Sequence, residues 1–494
     1  MKFTERKYSV AFLAGSTCVL GFAPFSIYPL SVLALAILFS LWIKSKSPAN
    51  AAKIGFAFGL GLFCVGISWI YIALHDYGEM PMLLASLATL LFAAFIALFP
   101  ALVGYVQSRF RAKNWMRVAV VMPAIWVLIE WLRGTIFTGF PWLTFGYAHS
   151  DSPLAGYAPV LGVYGVSLIV AVSAGLLACL FKERWSKRGQ IALALLVFLW
   201  GGGALLRTSA WTQPQGEPFS VALVQGNIAQ DIKFNGNALV GTLENYRRLV
   251  MQSDARLIVL PETALPLHRH EVPEYLITQL RDHAKRNGGD MLVGSFVRDD
   301  NGRYYNSVFT LGSAEEQLYR KQHLVPFGEF IPLRPVLGWL INEVLNIPMG
   351  DLSRGSAQQE PLKIAGQQVA VNICYEDVFG EEIIHALPHA TLLVNVTNDA
   401  WYGHSYAAEQ HNQISQLRAL ETGRMMLRAT NTGVTSIIGA DGKVLQTVPQ
   451  HQEGVLLGVA QGYAGITPYV RWGNVAVLML LVMMLAATWG VSRR

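Results

Sequence analysis

The chain has 494 residues, 53% of them hydrophobic and only 14% charged, with a formal net charge of +6. Soluble domains average about 45–50% apolar and about 25% charged residues, and disordered chains are poorer still in apolar residues, which argues against an ordinary soluble enzyme and excludes disorder. The positive charge is not a nucleic-acid signal: residues 207–471 hold 21 Lys+Arg against 26 Asp+Glu, a net of −5, and the balancing +11 lies in the apolar remainder.

In chain order, apolar segments run through Tyr8–Phe22, Tyr28–Ile43, Ile54–Leu74, Met82–Val106, Val118–Leu132, Leu161–Phe181 and Ile191–Leu206, and a last one through Val475–Val491. Ile54–Leu74, Met82–Val106, Leu161–Phe181 and Val475–Val491 have a length suited to crossing a bilayer; flanking charge supports the other four as spans. Lys2, Arg6 and Lys7 precede the first, Lys44, Lys46 and Lys53 follow the second, Arg109, Arg111, Lys113 and Arg117 follow the fourth, and Lys182, Arg184, Lys187 and Arg188 follow the sixth. The alternate loops carry almost no Lys or Arg. The positive-inside bias then places both termini in the cytoplasm and the 207–471 segment outside. No small-residue cleavage site follows the first apolar run, where Gly21-Phe22-Ala23-Pro24-Phe25 continues into bulky residues, so it reads as a span and not a signal peptide. The expected organisation is a transmembrane domain over 1–206 with about seven helices, a catalytic domain over 207–471, and a final transmembrane helix over 472–494.

Within 207–471, Ser220–Gln225, Arg256–Leu260, Met291–Phe296, Ser307–Leu311, Gln368–Ile373 and Leu392–Val396 read as short buried strands, and Leu243–Gln252, Pro273–Asn287, Glu381–Leu387 and Ala407–Arg424 as helices. That alternation predicts an α/β layered sandwich. Reactive side chains gather where strands end, the place where layered α/β folds assemble a ligand crevice. Pro261-Glu262-Thr263 follows one strand, Cys374-Tyr375-Glu376 another, and Lys321 precedes Leu324-Val325-Pro326-Phe327-Gly328-Glu329. Each has a duller reading: a turn glutamate, a solvated lysine, a core cysteine. The case rests on their coming together. Cys18, Cys64 and Cys179 lie in predicted spans, which leaves Cys374 alone in a domain placed in an oxidising compartment, either an inert core thiol or a reactive one. His268 and His270 lack a supporting carboxylate cluster, and no phosphate-cradling glycine loop is present, so no metal or cofactor is expected.

Glu262 after one strand, Lys321 standing 59 residues further on, and Cys374-Tyr375-Glu376 after another strand resemble the nitrilase superfamily. The whole chain is similar to the apolipoprotein N-acyltransferase family of Gram-negative bacteria, including Thr138-Gly139-Phe140-Pro141-Trp142, Gln225-Gly226-Asn227-Ile228 and Asn398-Asp399-Ala400-Trp401-Tyr402-Gly403. One departure is visible: Phe234 stands where the family is expected to carry Trp after Lys233. The resemblance implies a multi-pass α-helical membrane domain of about eight spans and an extracytoplasmic αββα nitrilase-like sandwich in the bacterial inner membrane. It implies transfer of an acyl chain from a phospholipid donor to the N-terminal amine of a diacylglyceryl-modified apolipoprotein, through a thioester on the enzyme, and no nucleic-acid partner. Glu262 is then the base, Cys374 the nucleophile and Lys321 the oxyanion stabiliser, a role worth about 10²–10³ in rate per donor. Glu329 orients Lys321, and Glu376 either positions the incoming amine or fixes the loop bearing Cys374, with Tyr375 between them. Trp401 and Tyr402 read equally as lid or packing, and Phe234 and Trp339 as lipid contacts. Residues 337–349, which contain Trp339, read either as a core helix or as an arm dipping into the outer leaflet. Glu130 and Arg133, three residues apart in a span, read as a structural ion pair ahead of a functional one. The competing readings are a membrane-anchored nitrilase-like amidase of a small amide and a catalytically dead transporter or scaffold.

Overall fold

The computed structural model describes residues 3–183, 186–233, 236–332 and 352–492. The chain divides into two compact units, one of Met1–Tyr71, Pro81–Ala210 and Thr467–Arg494, the other of Ile72–Met80 and Trp211–Ile466.

The first unit is helical. It contains α1 (Phe3–Cys18), α2 (Pro29–Ile43), α3 (Pro48–Gly66), α4 (Met82–Ser108), α5 (Asn114–Arg133), α6 (Ala158–Glu183) and α7 (Lys187–Leu206), and the chain ends in a further apolar helix, Val475–Ser492. Among the described residues, five helices are long and apolar enough to cross a membrane: Pro48–Gly66, Met82–Ser108, Asn114–Arg133, Pro153–Glu183 and Lys187–Leu206. Pro29–Ile43 and Val475–Thr488 are apolar but shorter. The faces of α4 and α7 leave Leu83, Leu91, Val197 and Phe198 exposed, as helices apolar all round do where hydrocarbon is the solvent. Helix starts follow local rules: Ser47 accepts from Asn50 N–H with Pro48 in the first turn of α3, and Ser186 accepts from Gly189 N–H at the start of α7. The backbones of α3 and α4 touch, since a Cβ at Gly55 would strike the Pro100 carbonyl and one at Gly104 the Ala51 carbonyl.

Glu130 and Arg133 form a buried pair at 3.9 Å and together hold the segment after α5. Arg133 donates to the carbonyls of Phe140 and Trp142, and Phe145 N–H donates to Glu130 Oε1 at 2.9 Å. The pair is a clamp on irregular backbone, in which Phe137, Thr138 and Leu143 all adopt positive φ.

The second unit is a two-sheet sandwich. One sheet runs β13-β1-β2-β4-β5-β6 with β3 on β4, the other β12-β11-β10-β9-β8-β7. The strands are β1 (Thr212–Gln225), β2 (Leu257–Val259), β3 (Leu265–His268), β4 (Asp290–Arg298), β5 (Tyr304–Gly312), β6 (Leu318–Arg320), β7 (Leu362–Ile364), β8 (Gln367–Ile373), β9 (Leu392–Thr397), β10 (Met426–Thr430), β11 (Thr435–Ile438), β12 (Val444–Val448) and β13 (Gly454–Gly465). β1, β2 and β4 are mutually parallel, as are β8, β9 and β10, and antiparallel strands flank each trio.

Period-two alternation assigns the layers. Val221, Leu223, Leu257, Val259, Leu292 and Val308 meet Val369, Val371, Ile373, Val394 and Val396 in the core between the sheets. Their neighbours Ala222, Val224, Ile258, Leu260, Met291, Val293 and Phe309 face outward into a second core, under α8 (Gly236–Val250) and α9 (Glu274–Arg286). On the other sheet α10 (Ala407–Thr422) packs against β10 and β11. Strands buried on both faces read as continuous apolar runs, as Leu257–Leu260 and Val369–Val371 do.

Candidate active site

Three turns build the site. β2 ends in Pro261-Glu262-Thr263, β6 ends at Lys321, whose N–H donates to Asn306 O at 2.8 Å, and β8 ends at Cys374, which opens a tight helical turn, Cys374–Val378. Cys374 has φ +55°, Thr263 φ +46°, Asn227 φ +50° and Phe327 φ +63°. Left-handed backbone is uncommon outside glycine, Asn being the most tolerant exception. Here Cys374 stands directly after β8, Thr263 in the turn after β2, and Asn227 just after β1.

Lys321 Nζ lies 2.9 Å from Glu329 Oε1 and 3.3 Å from Glu262 Oε1, with its ammonium buried. Burial works against that charge, and Glu262 and Glu329 outweigh it, so the lysine is held above its ordinary pKa. Glu329 Oε2 accepts from Val325 N–H at 2.9 Å, which fixes the carboxylate that fixes the lysine. Burial pushes the Cys374 thiol up, the Glu262 charge adds to the rise, and Lys321 opposes it. These influences together favour the neutral form of the buried thiol.

Glu376 carries four donors on its two oxygens: Gln322 N–H at 2.6 Å and His323 N–H at 3.0 Å on Oε1, Ile373 N–H at 2.6 Å and the Tyr319 hydroxyl at 3.0 Å on Oε2. Burial lifts its pKa to about 7, while those bonds and Lys321 favour the charged form. A carboxylate has about four acceptor positions, so all are taken by this chain. Tyr375 packs its ring edge-on to Phe379 at 5.1 Å and beside His323. Tyr402 is half-buried, and burial and then the Cys374 charge raise its phenol. Trp401 is 41% exposed and meets Tyr77 edge-on at 6.3 Å; Tyr77 belongs to the Ile72–Met80 segment that clusters with this unit. Phe234, Trp339 and the 337–349 segment lie outside the described residues.

Two residues of the site were missed from sequence. Asn306, buried in β5, donates to Glu262 Oε1 at 2.7 Å and to Glu329 Oε1 at 3.1 Å, bridging both carboxylates. Its signal was present: it shares the parity of Val308, so a polar group there points between the sheets. Lys233 is buried and donates to the Glu262 main-chain carbonyl at 3.1 Å. Burial lowers it to about 8 against the pull of Glu262 and Cys374. No sequence signal sets it apart from a surface lysine. Among the described residues no group of three or more His, Cys, Asp or Glu side chains is placed to hold a metal.

The sequence profile of the apolipoprotein N-acyltransferase N-terminal domain matches residues 14–176, and the carbon–nitrogen hydrolase profile matches residues 220–465. Over 482 residues the chain is 53% identical to an apolipoprotein N-acyltransferase of Nitrosomonas europaea, covering 97% of this chain and 96% of that one. The chain belongs to the apolipoprotein N-acyltransferase family. Relatives of that description from Ralstonia nicotianae and Methylococcus capsulatus are 44% and 43% identical, over 98% and 94% of this chain and 93% and 92% of theirs. The family thus extends over both units, helical and sandwich.

Proposed function

We propose that this membrane-embedded acyltransferase moves an acyl chain from a phospholipid to the N-terminal amine of a diacylglyceryl-cysteine on an apolipoprotein, with Cys374 as the carrier. Glu262 takes the Sγ proton, and the thiolate attacks the ester carbonyl of the phospholipid. Lys321 stabilises the oxyanion, and the departing lysophospholipid alkoxide receives the proton from Glu262. The amine then attacks the thioester, Glu262 accepts its proton and returns it to Cys374, and the amide leaves. The observation that carries this reading is the meeting of a neutral buried thiol with a carboxylate and an ammonium 3.3 Å apart at three strand ends. A thiol becomes a competent nucleophile only as thiolate, and an adjacent base is the ordinary way to make it so.

Glu329 and Asn306 hold Lys321 and Glu262 in place, and Glu376 fastens the loop after Lys321 to the turn bearing Cys374. Two substrates that both carry acyl chains account for a family profile over the helical segment, where a small-amide hydrolase would need only an anchor. The charge pattern supports eight spans with cytoplasmic termini and 207–471 outside, and membership of the family supports the inner membrane and a periplasmic catalytic domain. No cofactor is needed for any step.

The test is to incubate the purified protein with a defined phospholipid and weigh it intact and as peptides. An acyl group on Cys374, absent from Cys374→Ala and discharged by an amine-bearing diacylglyceryl peptide, is expected. No adduct, together with a fully active Cys374→Ala, would overturn the mechanism; discharge to water alone would favour an amidase.

A further inference from the structure

Behind the Cys374 turn lies a closed ring of four buried charged or titratable groups. His411 Nε2 is 2.9 Å from Asp377 Oδ1, and its Nδ1 is 2.9 Å from Asp399 Oδ1. Arg428 closes the ring, with Nη1 3.3 Å from Asp377 Oδ2 and Nη2 2.9 Å from Asp399 Oδ2. The four come from four elements: the turn after β8, the turn after β9, α10 and β10. Ser415, also on α10, donates to Asp377 Oδ2. The ring reaches the nucleophile by a second path, since Arg428 Nη1 donates to Asn395 Oδ1 at 2.6 Å and Asn395 Nδ2 donates to the Cys374 carbonyl at 3.1 Å.

The geometry decides the protonation state. A neutral imidazole has one N–H and one lone pair. With a carboxylate oxygen at hydrogen-bond distance from each nitrogen, the neutral form would set a lone pair against a carboxylate. With both aspartates ionised, as the Arg428 guanidinium bonded to each favours, only the imidazolium satisfies both contacts. It also balances the ring, two aspartates against one arginine and one histidine.

We propose that His411 works as an imidazolium that locks the Cys374 turn to the turn carrying Trp401 and Tyr402, making it a positioning residue for the acyl-transfer site. The inference rests on Cys374 being the nucleophile. Burial and Arg428 push His411 down, Asp377 and Asp399 outweigh them, and the net is a rise to about 8. A folded pKa above the unfolded one of about 6.5 means the ring's contribution is whole below that value and is lost as pH rises through about 8.

The test uses the full-length protein in detergent micelles with ¹³C,¹⁵N-labelled histidine. His411 is assigned by the signal lost in His411→Gln, or, where that variant does not fold, by the signal shifted in Ser415→Ala. Two N–H-bearing ring nitrogens at pH 7 are expected, and a neutral tautomer at pH 7 overturns the proposal whether or not acyl transfer is detected. In the second arm, His411→Gln should slow transfer by about tenfold at neutral pH and abolish the fall in wild-type rate above about pH 8. An unchanged alkaline fall in the variant assigns it to another group, such as Lys233, and overturns the proposal; loss of all transfer from wild type overturns the parent mechanism instead.

Discussion

Replacing Glu329 by Gln tests whether Lys321 is held electrostatically or merely sterically. The carboxylate serves Lys321 and Asn306 through Oε1 and Val325 N–H through Oε2. Glutamine has one acceptor oxygen, so its amide nitrogen must face either the ammonium or the Val325 N–H, donor against donor. One buried donor is left unpaired, at about 1–3 kcal/mol, and a charge-assisted bond of about 1.5–3 kcal/mol becomes at best a neutral one. Glu262 stays within 3.3 Å of the ammonium and limits the damage. A net of about 2–3 kcal/mol felt in the transition state slows thioester formation about 30–150-fold. The assay is single-turnover acylation of Cys374 followed by intact mass, with thermal unfolding run beside it. A folded Glu329→Gln protein acylated within about twofold of the wild-type rate would refute the account, because Lys321 would then keep its place without its closest carboxylate.

Glu262→Gln should separate reactivity from catalysis. It removes a negative charge that raises the Cys374 thiol, so alkylation by iodoacetamide at neutral pH speeds up while acyl transfer is lost; slower alkylation would contradict this sign. Arg133→Met strips two carbonyls of their donor and leaves Glu130 buried without its partner, a loss of about 3–5 kcal/mol seen as a fall in unfolding temperature in detergent. The double variant Glu130→Gln/Arg133→Met should recover part of it, and no recovery would place the damage in packing. A cysteine put at exposed Gln358 should react with an impermeant thiol reagent only from the periplasmic side, and labelling from the cytoplasm would reverse the orientation.

The legible part of this molecule was the part written in apolar runs. All six strands and four helices expected in 207–471 are present, with ends displaced by a few residues. β1 begins at Thr212 and not Ser220, because its exposed start pairs with β13 beyond a bulge between Gln215 and Phe219. β3, β6, β7 and β10 to β13 were not anticipated. Arg428 sits in the middle of β10 and is wholly buried, and glycines interrupt β13, so neither segment alternates cleanly. Glu262 and Cys374 could be singled out because each follows an apolar strand, and Lys321 by its spacing from them, since the three-residue β6 before it leaves no apolar run. Asn306 was legible only as a polar residue in register with Val308, and Lys233, His411 and Arg428 not at all, because what sets them apart is a partner distant in sequence. Eight apolar segments were read as spans, and five helices among the described residues meet both length and composition. The expected third segment, Ile54–Leu74, stops as a regular helix at Gly66, and Ile72–Met80 packs with the sandwich instead.

Four non-glycine residues with left-handed backbone, Asn227, Thr263, Phe327 and Cys374, stand in the motifs that make the site. Such positions hold roughly 1–3 kcal/mol each, less for Asn, against a folding margin of about 5–15 kcal/mol for a typical domain. The site is thus one of the places where the fold is strained, as is the Phe137–Leu143 segment clamped by Arg133. Selection for heat resistance alone would favour relaxing such turns, and on the proposed mechanism a protein relaxed at these four would lose the acyl-transfer geometry along with the strain.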